Sequence, residues 1–312
     1  MQLFDRVPKI DFMGPRKIAV ALSIAVILVS IGSLAIRGLN LGLDFTGGVL
    51  IEVAYDGTAD LEAIRTTLAD GGFDGAIVQN FGAANDVLIR LPPVTDDQES
   101  EGSNIGDRVL AVLQTQDASV QERRTEFVGP QIGGDLVQAG EMSMFFVLAM
   151  VFVYVMIRFR WKFAAGAIGA LVHDVIITFG FFSITGFEFD QTVLAAILAV
   201  IGYSLNDTIV VYDRIRENFR SMRRGSAETI INASINQTMS RTIITGLTTL
   251  LVLFALFALG GESVRGFSMA LIVGIIVGTY SSIYIASAAA LFLDVSPADL
   301  MPPKREAVDD MP

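Results

Sequence analysis

Five polar residues stand inside or beside apolar stretches that are long enough to cross a membrane. Asn206 and Asp207 interrupt one such stretch, His173 and Asp174 interrupt another, and Arg241 opens a third. A charge in the hydrocarbon core costs at least about 2.5 kcal/mol, so it must be paired, protonated or hydrated. A neighbouring guanidinium favours the ionised form of a carboxylate, and its withdrawal favours the protonated form. The sequence therefore predicts a proton pathway centred on Asp207 and Arg241.

The alternative is that these side chains are buried polar ties between helices that never titrate. For His173 and Asp174 the two interpretations weigh equally, and Arg241 could also extend its side chain to the interface. The sequence gives no support for hydrolytic chemistry, since the chain has one His and no Cys and lacks GxSxG and HExxH motifs. We expect neither an enzyme nor a metal or cofactor site.

The composition indicates an integral membrane protein. Hydrophobic residues make up 52% of the 312 positions and charged residues only 18%, with a mean hydropathy of +0.57. Apolar stretches of spanning length number six, at 18–36, 138–157, 163–185, 192–212, 242–260 and 267–293. An even number of spans puts both termini on the same side.

The orientation follows from the short loops, because Lys and Arg resist translocation. Four of them precede the first span, three lie in the second connection and five begin the fourth, whereas the third connection, GFEFDQ, has none. We therefore expect the termini, 1–17 and 294–312, in the cytoplasm and residues 37–137 outside. The outer segment carries six Arg against seventeen Asp and Glu, which argues against a nucleic-acid partner.

Two extramembrane segments have their own patterns. Residues 37–137 alternate strand and helix signals in the order β-α-β-β-α-β, which is typical of a ferredoxin-like α+β domain, and TDDQESEGSN at 95–104 is expected to be a disordered loop. Residues 213–240 combine several arginines with apolar residues at every fourth position, Ile231, Ile235 and Met239. This pattern predicts a basic amphipathic segment along the membrane that attracts anionic lipids, although positive-inside topology alone also explains the arginines.

The last span has small residues at every fourth position, which predicts close packing against another helix of this chain or of another subunit. These residues are Gly274, Gly278, Ser282, Ala286 and Ala290.

Five segments together resemble one family. They are GLDFTGG at 42–48, VGPQIGGDL at 128–136, RFRWKFAAGAIGALVHD at 158–174, GYSLNDTIVVYDRIRENF at 202–219 and SRTIITG at 240–246. In this order they resemble the SecF family, subunits of the bacterial SecDF protein-export complex within the resistance-nodulation-division transporter superfamily. The resemblance covers nearly the whole chain.

The resemblance implies an inner-membrane protein with a periplasmic domain after the first of six spans. It implies SecD and the SecYEG translocon as partners, YajC and YidC as further candidates, and translocating unfolded preproteins as cargo. The proton-motive force would help to draw these preproteins outward, and the family's proton-passing Asp and Arg match Asp207 and Arg241.

The remaining candidate residues lie at the outer ends of the spans. Asp44, Phe45, Gly47 and Gly48 are expected to form a tight junction that couples the first span to the outer domain. Glu188 and Asp190 border the outer mouth, where Asp190 also fits the N-cap of the fourth span. Two other functions stay open: a passive periplasmic chaperone or scaffold of the translocon, and half of a small-molecule exporter of the same superfamily.

Overall fold

The protein is described by a computed structural model that covers residues 7–92, 104–159, 161–222 and 225–295. Several predictions lie outside these residues: those for positions 1–6, for nearly all of the loop at 95–104, for Arg160, Arg223 and Arg224, and for the tail after residue 295.

The amino-terminal part contains one long helix followed by a mixed α+β unit. Its elements are α1 (Arg16–Arg37), β1 (Asn40–Leu41), α2 (Leu43–Thr46), β2 (Gly48–Ala54), α3 (Leu61–Asp70), β3 (Ile77–Phe81), β4 (Ala83–Leu91), α4 (Ile105–Gln116) and β5 (Gln121–Val128).

The rest of the chain is helical apart from one short strand. Its elements are α5 (Pro130–Arg158), α6 (Trp161–Thr185), β6 (Glu188–Phe189), α7 (Gln191–Ser221), α8 (Ala227–Leu259), α9 (Arg265–Ser281), a π-helical turn (Ser282–Ala286) and α10 (Ser287–Phe292). Together with α1, this makes six helices long and apolar enough to cross a membrane, the sixth being continuous from α9 through α10. The described part of the chain is therefore mostly helical, as predicted.

The α+β unit, here called the extramembrane domain, has one antiparallel sheet in the order β3-β4-β2-β5. Strand β2 alternates buried Val49, Ile51 and Val53 with less buried residues, as a sheet covered on one face requires. These three side chains share a core with α3 and α4. Helix α3 begins where the Asp60 carboxylate accepts hydrogen bonds from the Glu62 and Ala63 amides.

Helices α7 and α8 extend well beyond the predicted spans, into the segment predicted to lie along the membrane. The helical apolar period continues through this segment, and Ile231, Ile235 and Met239 are buried in the main core of the protein. The polar side of α8 holds the amino-terminal segment, because Asn236 exchanges two hydrogen bonds with the Ile10 backbone (2.9 and 2.7 Å). The apolar face of this segment thus packs on protein.

The small residues of the last span face a helix of the same chain. A Cβ added at Gly274 would lie 2.2 Å from the Val200 side chain, and one added at Gly278 would lie 3.0 Å from Ser204. Both neighbours belong to α7. Of the two packing partners left open by the sequence, the internal helix is the one observed at these positions.

We expect Gly274→Ala to destabilise the α7–α9 crossing by roughly 1–3 kcal/mol, because an extra methyl group has no room beside Val200. The thermal unfolding midpoint of the purified protein in detergent should fall accordingly. Gly202→Ala is the matched control, since Gly202 lies on α7 and an added Cβ there meets nothing within 4 Å. Equal midpoints for the two variants would contradict this account of the crossing.

Candidate functional site

Asp174 lies at the point where three membrane helices meet. Its side chain on α6 is 1% exposed, and its carboxylate accepts hydrogen bonds from Ser204 Oγ on α7 (2.5 Å) and Ser281 Oγ on α9 (2.7 Å). His173 Nδ1 lies 2.8 Å from the same carboxylate. Three donors compensate for the water that a buried carboxylate loses. Asp174 therefore joins α6, α7 and α9.

His173 extends this polar cluster toward the first membrane helix. With Nδ1 donating to Asp174, Nε2 of the neutral ring carries a lone pair, and this buried atom has no hydrogen-bond partner among the described residues. The ring stacks on Tyr280 with centroids 6.5 Å apart. The Tyr280 hydroxyl donates to the Ala19 carbonyl oxygen at 2.8 Å and accepts from Ser23 Oγ at 3.3 Å. Two sets of hydrogen bonds, joined by the ring stack of His173 on Tyr280, thus connect Asp174 to α1.

Asp207 lies one helical turn from this cluster, three residues beyond Ser204 on α7, and therefore on the same face of that helix. The residue is 3% exposed. Its Oδ2 atom is buried and has no hydrogen-bond partner within the described part of the chain. A buried carboxylate oxygen without a donor differs sharply from the saturated carboxylate of Asp174, and it is a position where a proton or a water molecule would be stabilised.

Arg241 lies on α8, the helix after α7, and attracts the Asp207 carboxylate electrostatically. Among the described residues no direct ion pair joins the two groups, and Arg241 and Asn206 are both exposed. The structure thus connects Asp207 to the His173–Asp174 cluster only through Ser204 on the same face of α7, and to Arg241 only through electrostatic attraction. Their reversible pairing stays a prediction.

The GLDFTGG segment forms a dense junction between the membrane helices and the extramembrane domain. Gly47 and Gly48 have φ angles of 67° and 120°, which residues with a Cβ rarely adopt. A Cβ added at Gly133, near the start of α5, would lie 3.0 Å from both the Gly47 nitrogen and the Phe45 oxygen. Two of the recognised motifs therefore pack backbone against backbone.

The same junction holds the start of α7. Asp44 Oδ2 accepts a hydrogen bond from the Gln191 amide at 2.9 Å, and Asp190 Oδ1 accepts from the Val193 amide at 2.8 Å as the N-cap. Phe45 packs on Phe189 with ring centroids 5.8 Å apart. Strand β1 pairs in parallel with β6. The fixed start of α7 is thereby tied to the segment that leads into the domain.

Glu188 binds a residue that the sequence did not single out. Arg90, on strand β4 of the domain, forms an ion pair with Glu188 and donates to the Leu41 carbonyl oxygen at 3.2 Å. Burial raises the pKa of Glu188, an effect that the Arg90 charge only partly offsets. The sequence could have indicated Arg90, because it is the one charged residue in the apolar run VLIRL. Side chains alternate between the two faces of a strand, so Arg90 points away from the core that contains Ile89 and Leu91.

Two family descriptions match the chain. "SecD/SecF GG Motif" matches residues 32–59 and "Protein export membrane protein SecD/SecF, C-terminal" matches residues 108–296. The protein translocase subunit SecF of Vibrio alginolyticus is 50% identical over 100% of this chain and 99% of its own length. The SecF subunit of Pseudomonas aeruginosa is 46% identical over 98% of this chain and 99% of its own length.

Two solved structures of SecDF are similar to this chain. The first, described as a translocon-associated membrane protein from Thermus thermophilus, is 38% identical over 94% of this chain with a TM-score of 0.81. The second, described as a super-membrane-facing form, has the same identity and coverage with a TM-score of 0.69. The chain covers 39% of the length of each SecDF chain.

We expect Asp174→Ala to destabilise the protein strongly, by roughly 2–6 kcal/mol, because it leaves the buried donors of His173 and Ser204 without their acceptor. Ser281→Ala removes one donor and should cost about 1 kcal/mol. Thermal unfolding in detergent measures both. Ser143→Ala is the control, since the exposed Ser143 hydroxyl bonds only within its own helix, to the Ala139 carbonyl oxygen. If Asp174→Ala were as stable as this control, the three-helix tie would not stabilise the fold.

A second prediction concerns pH. Because the pKa of Glu188 is raised above the ordinary value of 4.5, its contribution to stability is present below that value and is lost as the pH rises through the raised pKa. Glu188→Gln cannot titrate. The unfolding midpoint of the wild type should therefore fall relative to that of Glu188→Gln as the pH rises from below 4.5 to neutrality. A difference that stays constant or changes in the opposite direction would contradict the assigned pKa shift.

Proposed function

Because the chain belongs to the SecF family of protein translocase subunits, we propose that it uses the proton-motive force, together with SecD, to promote protein export. It is a multi-pass protein of the bacterial inner membrane. The proposed work is mechanical and involves no catalytic chemistry: proton transfer at Asp207 changes the packing of the membrane helices, and the extramembrane domain moves in response.

The proposed orientation places both termini in the cytoplasm and the extramembrane domain in the periplasm. The distribution of Lys and Arg among the loops supports this orientation. The strand order β3-β4-β2-β5 with two helices on one face supports a ferredoxin-like fold for the domain. A domain on that side would meet preproteins as they leave the SecYEG channel.

The observation that carries the proposal is the buried Oδ2 atom of Asp207, which has no hydrogen-bond donor among the described residues. A carboxylate that served only as a tie would be saturated, as Asp174 is by Ser204, Ser281 and His173. Asp207 instead has room to accept a proton. Arg241 attracts its ionised form, and Asn206 lies beside it on the exposed side of α7.

The polar cluster offers a route from the proton site to the domain. A shift of α7 that accompanies protonation of Asp207 also moves Ser204, one turn away, and so the hydrogen bond that Ser204 donates to Asp174. From there the contacts continue through His173 and Tyr280 to Ala19 on α1. Helix α1 leads directly into the GLDFTGG junction and β2.

The energy available is sufficient for such a change. One elementary charge that crosses about 150 mV releases roughly 3.5 kcal/mol, which shifts a two-state equilibrium by a factor of a few hundred. The two SecDF structures fit this chain to different degrees at equal identity and coverage, with TM-scores of 0.81 and 0.69. Such a difference is what two arrangements of a domain on the same helices would produce.

SecD is the first partner of this proposal, since the chain matches only part of the SecDF chains. Helix α5 exposes much of its apolar surface, including Phe145, Phe146 and Met150, which would contact SecD or lipid. SecYEG, YajC and YidC are further proposed partners, with unfolded preproteins as cargo. Arg214, Arg216 and Arg220 near the cytoplasmic end of α7 would attract anionic lipids.

A passive scaffold is the second candidate function. It is supported by the carboxylate of Asp174, which has the three hydrogen-bond donors that a purely structural acid would need. In that case the domain would hold emerging preproteins, and no proton step would be needed.

Asp207→Asn separates the two functions. In vesicles that contain the variant with SecD and SecYEG, we expect the part of preprotein export that depends on a proton gradient to disappear, because an amide cannot cycle between charged and neutral forms. Assembly with SecD, measured by co-purification, should persist. Glu217→Gln is the matched control on the same helix, since Glu217 is exposed and pairs with Arg214 one turn away. Stimulation that survives in Asp207→Asn would favour the scaffold.

A further inference from the structure

The extramembrane domain is joined to the membrane helices through two covalent connections. One runs from α1 through the GLDFTGG junction into β2, and the other runs from β5 through Gly129 into α5. A rigid body held at two points keeps one freedom, which is rotation about the line through those points. A third contact between the domain and the membrane helices restrains this rotation.

Arg90 makes such a contact. It lies on β4. In the sheet, β2 lies between β4 and β5, which is the strand that leads into α5. Its guanidinium binds Glu188 in the connection between α6 and α7, and it also donates to the Leu41 carbonyl oxygen on β1. The side chain is only 16% exposed, so the contact lies within the interface. One side chain therefore bridges the domain and two membrane-anchored strands.

The interface is shaped around the Glu188 carboxylate. A Cβ added at Gly42 would lie 3.0 Å from Glu188 Oε1, so glycine at this position leaves room for the carboxylate. On the β1–β6 ribbon, Glu188 lies directly opposite Asn40, whose side-chain amide donates to the Gly186 carbonyl oxygen at 3.0 Å. The acceptor for Arg90 is thus held in place by the connection that leads into the capped start of α7.

We propose that Arg90 is a positioning residue that holds the extramembrane domain against the α6–α7 connection, and that its contact with Glu188 opens and closes as the domain turns. This inference rests on the proposed function, in which the domain moves relative to the membrane helices. It adds a noncovalent link that couples α6 and α7 to the domain directly, beside the route through α1.

The electrostatics of the contact suit a link that has to open. Asp190 and Asp44 lie near Glu188 and repel its charge, and burial opposes the charge further. The attraction of Arg90 does not outweigh these effects, since the pKa of Glu188 stays raised. The ionised pair is therefore held less firmly than an isolated pair of the same geometry would be, and a modest shift of α7 suffices to separate it.

The first experiment measures the position of the domain. The chain has no cysteine, so Asp70→Cys on α3 and Ser263→Cys before α9, both exposed, accept two spin labels in the complex with SecD. Pulsed electron paramagnetic resonance then gives the distribution of distances between the labels. Arg90→Ala should broaden or shift this distribution. Arg123→Ala is the matched control, since Arg123 pairs with Asp86 inside the domain at 3.2 Å. Equal distributions for the two variants would overturn the proposal.

The second experiment closes the contact permanently. Arg90→Cys and Glu188→Cys are joined by a short, reducible bis-thiosulfonate linker, and export is measured in vesicles with SecD and SecYEG before and after reduction. The linked protein should show less stimulation by a proton gradient than the same protein after reduction. The same linker between Asp86→Cys and Arg123→Cys should change nothing. Full stimulation in the protein linked at 90 and 188 would overturn the proposal.

The two proposals fail in different ways. If Asp207→Asn abolishes the stimulation and the linker between 90 and 188 does not reduce it, Arg90 has no positioning role and the proton-driven function stands. If Asp207→Asn leaves the stimulation intact, the proton-driven function fails, whatever the distance distribution shows about Arg90.

Discussion

The need to satisfy buried carboxylates organises the membrane part of this protein. Hydrocarbon offers no donor to an ionised acid, so the acid must find donors on neighbouring helices or give up its charge. Asp174 has donors from two neighbouring helices, α7 and α9, and from the adjacent residue His173. The crossing of α7 and α9 beside it requires glycine at 274 and a small residue at 278. The close approach of these helices brings the Ser204 and Ser281 hydroxyls within reach of one carboxylate.

Asp207 lies on α7, on the same face as Ser204, which donates to Asp174. It is almost as buried as Asp174, yet one of its oxygens has no donor among the described residues. Asp174 and Asp207 thus differ in how fully their carboxylates are hydrogen-bonded. Because Ser204 lies between them, a change in the charge of Asp207 acts on the helix that supplies a donor to Asp174. The tie and the proton site are mechanically one unit in the proposed mechanism.

Much of this could be predicted from the sequence, because hydropathy over about 20 residues and the period of two in a strand are strong local signals. All six spans and the β-α-β-β-α-β order are readable in this way. The ends of α7 and α8 were not, since a helix continues past the membrane wherever its apolar face finds protein to pack on, and Ile231 and Ile235 find the main core. The intramembrane acids could also be predicted, because a charged residue interrupts an apolar stretch. Their hydrogen-bond partners could not be predicted, because Ser and Tyr are common in membrane helices and only the tertiary structure shows which acid Ser204, Ser281 or Tyr280 lies near.

In the proposed mechanism, the junction would transmit small movements of the helices to the domain. A flexible linker would relax under the strain, whereas Gly133 brings the backbone of α5 into direct contact with the backbone of Phe45 and Gly47. Packed interiors transmit strain because they have low compressibility. Asp44 adds a hydrogen bond to the first amide of α7, so α1, α5 and α7 all end in one dense unit. The interface at Arg90 differs in kind, since it depends on charges that lie partly open to water. In the proposed mechanism, the weaker ionic contact separates while the stiff junction keeps the domain attached to the membrane helices.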